Sequence, residues 1–334
     1  MDHLLTDWES FMNNEPLTKV LQVEAGPIPE PSEIYISTKT YISFLDDRQI
    51  DLGTLFWRLP VMPYNTRATG IIKKQMKFNS AAREEVAEVE ARLAEYDYSR
   101  TQVMYHAESQ DKYKDIRKVT VGVSKKDMLA FRVKPKGAFY NCFVVIVRVQ
   151  VDGEFKEFHV KVFNTGKIEI PGIQDDAHLP HVIAVLVANI SRVQPISYMA
   201  GSEEIVLINS NFNCRYFINR EKLFSKLRYD HDVSAVYDPC SYPGIQCKLY
   251  CTPEARIVTK LADDVTAISV MIFRTGSVLI VGKCTEAIIH LVYAFLNEIF
   301  KEEYQDIMDP NCAQLPKKES KSKGFRRSVL VDLN

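Results

Sequence analysis

The chain has 334 residues, 46% hydrophobic and 25% charged, with 13 Gly, 15 Pro and a formal net charge of −1. These values exclude collagen-like, low-complexity and wholly disordered classes, and near-neutrality argues against a protein that simply coats nucleic acid. The length suggests about two domains. No run of about 18 apolar residues predicts a membrane span, and the opening MDHLLTDWESFMNNEP lacks the order of a signal peptide, so the chain reads as soluble and intracellular.

Residues 1–32 hold one basic residue, Lys19, and six acidic ones, and PIPEP at 27–31 breaks regular structure; this reads as an acidic N-terminal tail. Glu33–Thr40 then reads as a strand and Ile50–Arg58 as a short amphipathic helix. A basic stretch follows with Arg67, Lys73, Lys74 and Lys77. Ala81–Tyr96 predicts a helix, with Glu84 and Glu85 in its first turn and a Glu88/Arg92 pair four apart. Lys112 to Lys136 is again basic. Phe139–Val149 is a second strand. From Lys156 a strand ends in Phe163, turns through Asn164-Thr165-Gly166, returns to Gly172, and gives way to a helix with Val182, Val185, Leu186 and Ile190 on one stripe. The order then recurs: strand Glu204–Cys214, helix Asn219–Tyr229, strand Tyr242–Cys251, and a strand ending in Phe273. The turn Arg274-Thr275-Gly276, a strand to Gly282 and a helix over Ile289–Phe300 complete it. PKKESKSKGFRR, from Pro316 to Arg327, reads as a solvated basic tail, either disordered or in contact with phosphates.

The recurrence is an internal repeat. Phe163, Thr165, Gly166 and Gly172 match Phe273, Thr275, Gly276 and Gly282 at a constant offset of 110. Each copy reads strand, helix, four strands, helix, which predicts an α+β fold with helices laid on one side of an antiparallel sheet. In a strand, residues two apart share a face. If Val162 and Ile272 meet the helices, then Lys161, Phe163, Met271 and Phe273 point away. Large apolar groups on an uncovered face mark either an interaction surface or contact with a further element.

Catalytic constellations are not found. No P-loop, G-x-G-x-x-G, H-E-x-x-H or G-x-S-x-G occurs, so neither an enzyme nor a cofactor is expected. Seven cysteines at irregular spacing read as reduced thiols. Cys240, Cys247 and Cys251 cluster without a C-x2-C knuckle, and a zinc site there needs Cys214 or His231 as a fourth ligand. His178 and His181 beside Asp175 and Asp176 suggest a metal or, more simply, an acidic helix start. No metal site is expected from either group.

SYPGIQCKL at 241–249 resembles the Phe-Pro-Gly-Leu strand of the TATA-box-binding protein family. MIFRTGSVLIVGK at 271–283 and KVFNTGKIEIPG at 161–172 resemble its paired hairpins. GIIKKQMKFN at 70–79 with FYNC at 139–142 is similar to the divergent TATA-box-binding-like proteins of large nucleo-cytoplasmic DNA viruses. The resemblance covers about residues 33–303. It implies a pseudo-twofold saddle: a curved antiparallel sheet of about ten strands, four helices on the convex side, and a concave side facing the DNA minor groove. TATA-box-binding protein is itself a standard case of a binder that drives aromatic wedges between base steps and bends the duplex. Carried over, Phe163 and Phe273 match one wedge of each pair. Tyr242 matches the other wedge of the second repeat, with Tyr140, or Phe139, as its counterpart. Asn213 matches a base-contacting Asn near the dyad, with Thr40 as counterpart, and Lys167, Met271 and Leu279 fall on the same face.

The pattern also departs from the family. Pro171 and Val281 stand where it has Thr before the second hairpin Gly, and Ser277 replaces its hairpin Lys. Glu169 puts a carboxylate on the expected DNA face, which costs affinity, unless Lys161 pairs with it. The expected organisation is an acidic tail at 1–32, a first repeat at 33–200 with an insertion at about 60–135, a second at 201–304, and a basic tail at 305–334. The insertion either adds phosphate contacts, binds a partner, or is a solvated elaboration. The resemblance implies a transcription initiation factor that binds double-stranded DNA and recruits a general transcription factor or RNA polymerase subunits. It acts in the host nucleus or a cytoplasmic viral factory, or is carried in the virion, without a membrane partner. The alternative is a saddle-shaped protein-interaction scaffold that has lost DNA binding.

Overall fold

The structure, a computed structural model, describes residues 27–45, 49–109, 112–129, 137 and 139–309. Most of the acidic tail, the basic tail beyond 309 and Cys312 lie outside the described residues. Thirteen strands form one sheet. At its middle, β1 (Tyr35–Phe44) pairs antiparallel with β8 (Glu204–Asn213), with Lys39 opposite Ile208. Outward from β8 run β13 (Ser277–Gly282), β12 (Thr266–Ile272) and β10 (Ile245–Cys251). The outer side of β10 takes both β9 (Ser234–Val236) and the two-residue β11 (Ile257–Val258). Outward from β1 run β7 (Lys167–Ile173), β6 (Glu154–Phe163), β5 (Cys142–Val151) and β2 (Gly70–Ser80). The strands β4 (Tyr113–Gly122) and β3 (Ser99–Glu108) then extend that end.

The two halves obey one set of registers. Leu45 N–H donates to the Gly166 carbonyl at 2.8 Å, and Cys214 N–H to that of Gly276 at 2.9 Å. In both hairpins the turn glycine donates to the Phe carbonyl at 3.0 Å. Gly166 and Gly276 sit at φ 80° and 76°, a conformation that glycine adopts without steric cost. Short helices α1 (Leu52–Arg58) and α5 (Arg220–Ser225) begin alike, with the Asp51 and Asn219 side chains accepting from the third residue on. A π-helical turn, Lys226–Asp230, prolongs only the second.

Strand residues alternate between buried and half-exposed because one face is covered by helices and the other is not. Each half has its own core. The helix α4 (His178–Ile190) lays Val182, Leu186 and Ile190 on Val145, Val160, Ile168 and Ile170. The helix α6 (Glu286–Glu302) lays Ile289, Val292, Leu296 and Phe300 on Leu249, Val270, Ile272 and Ile280. Val185, placed on the apolar stripe from sequence, is only partly buried at the core margin, as is Tyr293 on α6. A short helix, α7 (Tyr304–Ile307), follows α6 and buries both its end residues.

The cores are tied at the pseudo-dyad by Lys39, whose ammonium lies 2.6 Å from both Asp176 and Glu286. Those two carboxylates stand at the same offset of 110 as the hairpins. Burial alone lowers the Lys39 pKa, but the two carboxylate hydrogen bonds outweigh it and the net shift is upward.

The sheet is wider than the ten strands expected, chiefly because of residues 81–122. In the first half β2 flanks β5 as β9 flanks β10 in the second. Beyond β2, β4 and β3 continue the sheet, and α2 (Arg83–Leu93) buries Val86 and Leu93 on its helix side. The basic stretch around Lys73 is thereby divided. Lys74 is wholly buried on the helix side, donating to the Leu59 carbonyl at 2.8 Å over the Phe56 ring, and burial pushes its pKa down to about 8. Lys73 and Lys77 occupy the opposite face.

Candidate nucleic-acid interface

The face away from the helices carries Ile42, Val144, Leu207, Met271, Leu279 and Val281, half-buried and outside both cores. Strand pairing lines up Asn211, Leu279, Met271 and Gln246 across the second half. It lines up Ile42, Glu169, Lys161, Val144 and Gln75 across the first. Met271 and Leu279 thus lie side by side.

At the end of the second half, the Phe273 ring rests on the backbone of Gly244, where an added Cβ would come within 3.1 Å of it. Tyr242 stands beside it, ring centroids 5.9 Å apart and tilted by 57°. Both side chains are half-exposed and belong to neither core. The sequence expectation was greater exposure; each ring instead shelters its neighbour.

In the first half Phe163 faces Cys142 across the β5–β6 pair. Gly244 has that place opposite Phe273, so the register gives Tyr140, rather than Phe139, the position of Tyr242. Phe163 is half-buried under Lys167, whose ammonium lies 5.6 Å from the ring centroid. Tyr140 is 55% exposed, with the Lys77 ammonium 3.4 Å from its ring centroid. Lys161 does pair with Glu169, at 2.5 Å, which neutralises the carboxylate on this face.

The central polar assignment is corrected by the registers. Asn213 faces Ser277 at the far end of β8, and its counterpart opposite Lys167 is Phe44, not Thr40. The Asn213 side chain donates to the Thr275 carbonyl and Ser277 hydroxyl and accepts from Arg215 N–H, so it holds the hairpin turn. Thr40, opposite Pro171, corresponds to Asn209, opposite Val281, and is only 8% exposed. The polar pair beside the dyad is Thr38 with Asn209, whose amide donates to the threonine hydroxyl at 3.2 Å. Thr40 and Asn209 lie as far apart in the chain as Phe44 and Asn213 do, and farther apart than the two hairpins. Residues 60–135 lengthen the first copy between its first strand and its hairpin, so the offset of 110 does not carry into the first strands.

The first half also has a partial cover. The helix α3 (Lys125–Leu129) reaches the open face through Asp127, which binds Lys73 at 2.6 Å and Arg100 at 3.1 Å. The Lys125 N–H donates to Glu157 at 2.9 Å. Nearby, burial above all, with help from the charge of Lys161, pushes the His159 pKa down to about 4, and its Nδ1 is buried without a hydrogen-bond partner. The other histidines and the cysteines read differently. His178 packs on the Phe158 ring. Among the described residues no three metal-ligating side chains come together, and Cys214 and Cys247 are buried while Cys240 is exposed.

No protein-family model matches the chain. A TATA-box-binding protein-like protein of Acanthamoeba polyphaga mimivirus is 24% identical over 196 residues, 53% of each chain. The chain is thus similar to a TATA-box-binding-protein-like protein. It spans about half the length of that relative. A solved structure, Methanococcus jannaschii TBP, is also similar: 14% identical, TM-score 0.38, covering 81% of this chain and 99% of that one. The fold here is a long antiparallel sheet with helices on one face, its order of strands run twice outward from β1 and β8. No helix among the described residues is long and apolar enough to cross a membrane.

Proposed function

We propose that the open face binds double-stranded DNA in the minor groove and bends it, as a transcription initiation factor does. The observation that carries this reading is the Tyr242–Phe273 pair, seated on Gly244 outside the core at the end of the open face. Phe163 with Tyr140 is the matching pair at the other end. A ring at each end can enter a base step, at an unstacking cost of a few kcal/mol that the extra contacts of the bent duplex offset. Met271, Leu279, Val144 and Leu207 supply the apolar floor between them, and Lys167 supplies a phosphate contact. The bent duplex then presents a platform for a general transcription factor or RNA polymerase subunits.

A second reading, a protein-interaction scaffold, draws support from Glu169 on this face and from α3 lying over Lys73. One experiment decides: binding and bending of random-sequence duplexes by the full chain across salt concentrations. Salt-dependent binding with bending that Phe273→Ala abolishes supports the DNA reading. Absence of salt-dependent duplex binding replaces it with the scaffold.

A further inference from the structure

We infer that the strands added to the first half bind the phosphate backbone of duplex DNA flanking the Phe163 wedge, making the footprint longer on that side. This rests on the DNA reading above. The row that holds Phe163 does not stop at the expected end of the saddle. Phe163 faces Cys142; Lys77 is the next open-face position on β2; Lys77 faces Lys118 on β4, and Lys118 faces Gln102 on β3. Two open-face positions along β4 from Lys118, Lys114 lies with its ammonium 5.8 Å from the Tyr105 ring centroid.

The charge is sorted between the two faces. The open face of β2, β4 and β3 carries Lys73, Lys77, Lys114, Lys118 and Arg100 and none of the carboxylates of these strands. Asp115 and Glu108 turn to the helix side, where Arg117 and Arg83 pair with them. Asp127 binds Lys73 and Arg100 at one end of these strands, while Lys77, Lys118 and Lys114 stand at the other, on the side of the wedge. At the opposite margin of the sheet the β10–β9 face carries only Lys248, which donates to the Ser269 hydroxyl. Two further strands at about 4.8 Å each widen the face by about 10 Å, about three base-pair steps of backbone. A face that carries lysines and none of these strands' carboxylates, in line with the wedge, matches a duplex backbone in sign and position.

The test compares wild type with Lys114→Gln/Lys118→Gln, which spares Lys77 and its contact with Tyr140. Duplexes recovered from a random pool by the wild type serve as probes. Two lost phosphate contacts lower the slope of log affinity against log salt by about 2. Hydroxyl-radical protection should shorten by about three base pairs on one side only, with bending retained. Lys114→Arg/Lys118→Arg should restore both, and unchanged thermal unfolding of both variants excludes misfolding. An unchanged slope and footprint with bending intact overturns this inference alone and leaves an acidic protein segment as the occupant of the face. Absence of salt-dependent binding by the wild type overturns the DNA reading and this inference with it.

Discussion

The two halves share hairpins, caps and registers, yet their open faces differ. In the second half the face is bare: Gln246, Lys248 and Val236 are exposed, and Tyr242 and Phe273 close its end. In the first half, positions matching Lys248 and Ser269 are Ile146 and His159, half-buried beside α3, and the sheet runs on through β2, β4 and β3. The duplicated core therefore constrains only the helix side. The open face makes few contributions to packing, so each half is free to acquire its own charge and cover. A twofold framework thus becomes a directional surface, with a short neutral end and a long basic one.

The largest expected effect separates the face from the core. Phe143→Ala, in the first core, should cost about 3–5 kcal/mol and lower the melting temperature accordingly. Phe273→Ala should leave the melting temperature nearly unchanged and sharply reduce bending. If Phe273→Ala melts like the core variant, the open face is part of the packing and the comparison collapses.

The next effect is confined to the first half. His159 binds a proton at about pH 4 in the folded chain and near its ordinary value of 6.5 when unfolded. Between those values the unfolded state binds more protons, so stability should fall as pH drops from about 6.5 toward 4, by on the order of 2 kcal/mol. His159→Ser, which copies the second half, should flatten that part of the pH–stability curve. A curve unaltered by the substitution rejects the role of His159.

Lys39 tests the joint between the halves. Lys39→Met should destabilise by about 2 kcal/mol at neutral pH, since two charge-assisted hydrogen bonds are lost while the carboxylates keep partial access to water. Burial raises the Asp176 pKa, but the Lys39 and Tyr41 hydrogen bonds together with the charge of Lys39 outweigh it and hold the carboxyl below its usual range. That contribution is present above the unfolded value of about 3.8 and lost as pH falls through the lower folded value. The wild type should therefore lose this increment in strong acid, and the variant should not. Equal acid sensitivity in the two proteins counts against the clamp.

The smallest effect concerns the carboxylate on the open face. Glu169→Val releases Lys161 from its partner. Duplex affinity should rise by less than about tenfold, with the salt slope steeper by about 1. A weaker-binding variant indicates that Glu169 recognises the ligand rather than opposing it.

Much of this was legible in residue order. The offset of 110 between the hairpins fixes both turns, because x-Thr-Gly needs a glycine at positive φ, and the apolar stripes of α4 and α6 announce the covered face. The place of Tyr242 beside Phe273 rested instead on the resemblance of SYPGIQCKL at 241–249 to the family strand. Residues 81–122 were harder to place. Their lysines and arginines suggested a solvated elaboration, whereas β-branched positions such as Val119 and Val121 give strands once β2 offers an unpaired edge. Lys74 and Lys77 are the same residue type three positions apart, and sheet alternation sends one into the core and the other to the open face. Asn213 and Thr40 were misaligned because the insertion at about 60–135 breaks the offset of 110 ahead of the hairpins, so only the pairing of β1 with β7 and of β8 with β13 matches the first strands.

The sequence by itself determined the repeat, the turns and the apolar faces, since these rest on short-range sterics and periodicity. Only the tertiary structure decided which polar residues meet at the dyad, that Lys39 joins Asp176 to Glu286, and that Lys161 cancels Glu169. Those outcomes depend on register and on segments far apart in the chain, and a one-residue shift in pairing re-aims every side chain to the other face.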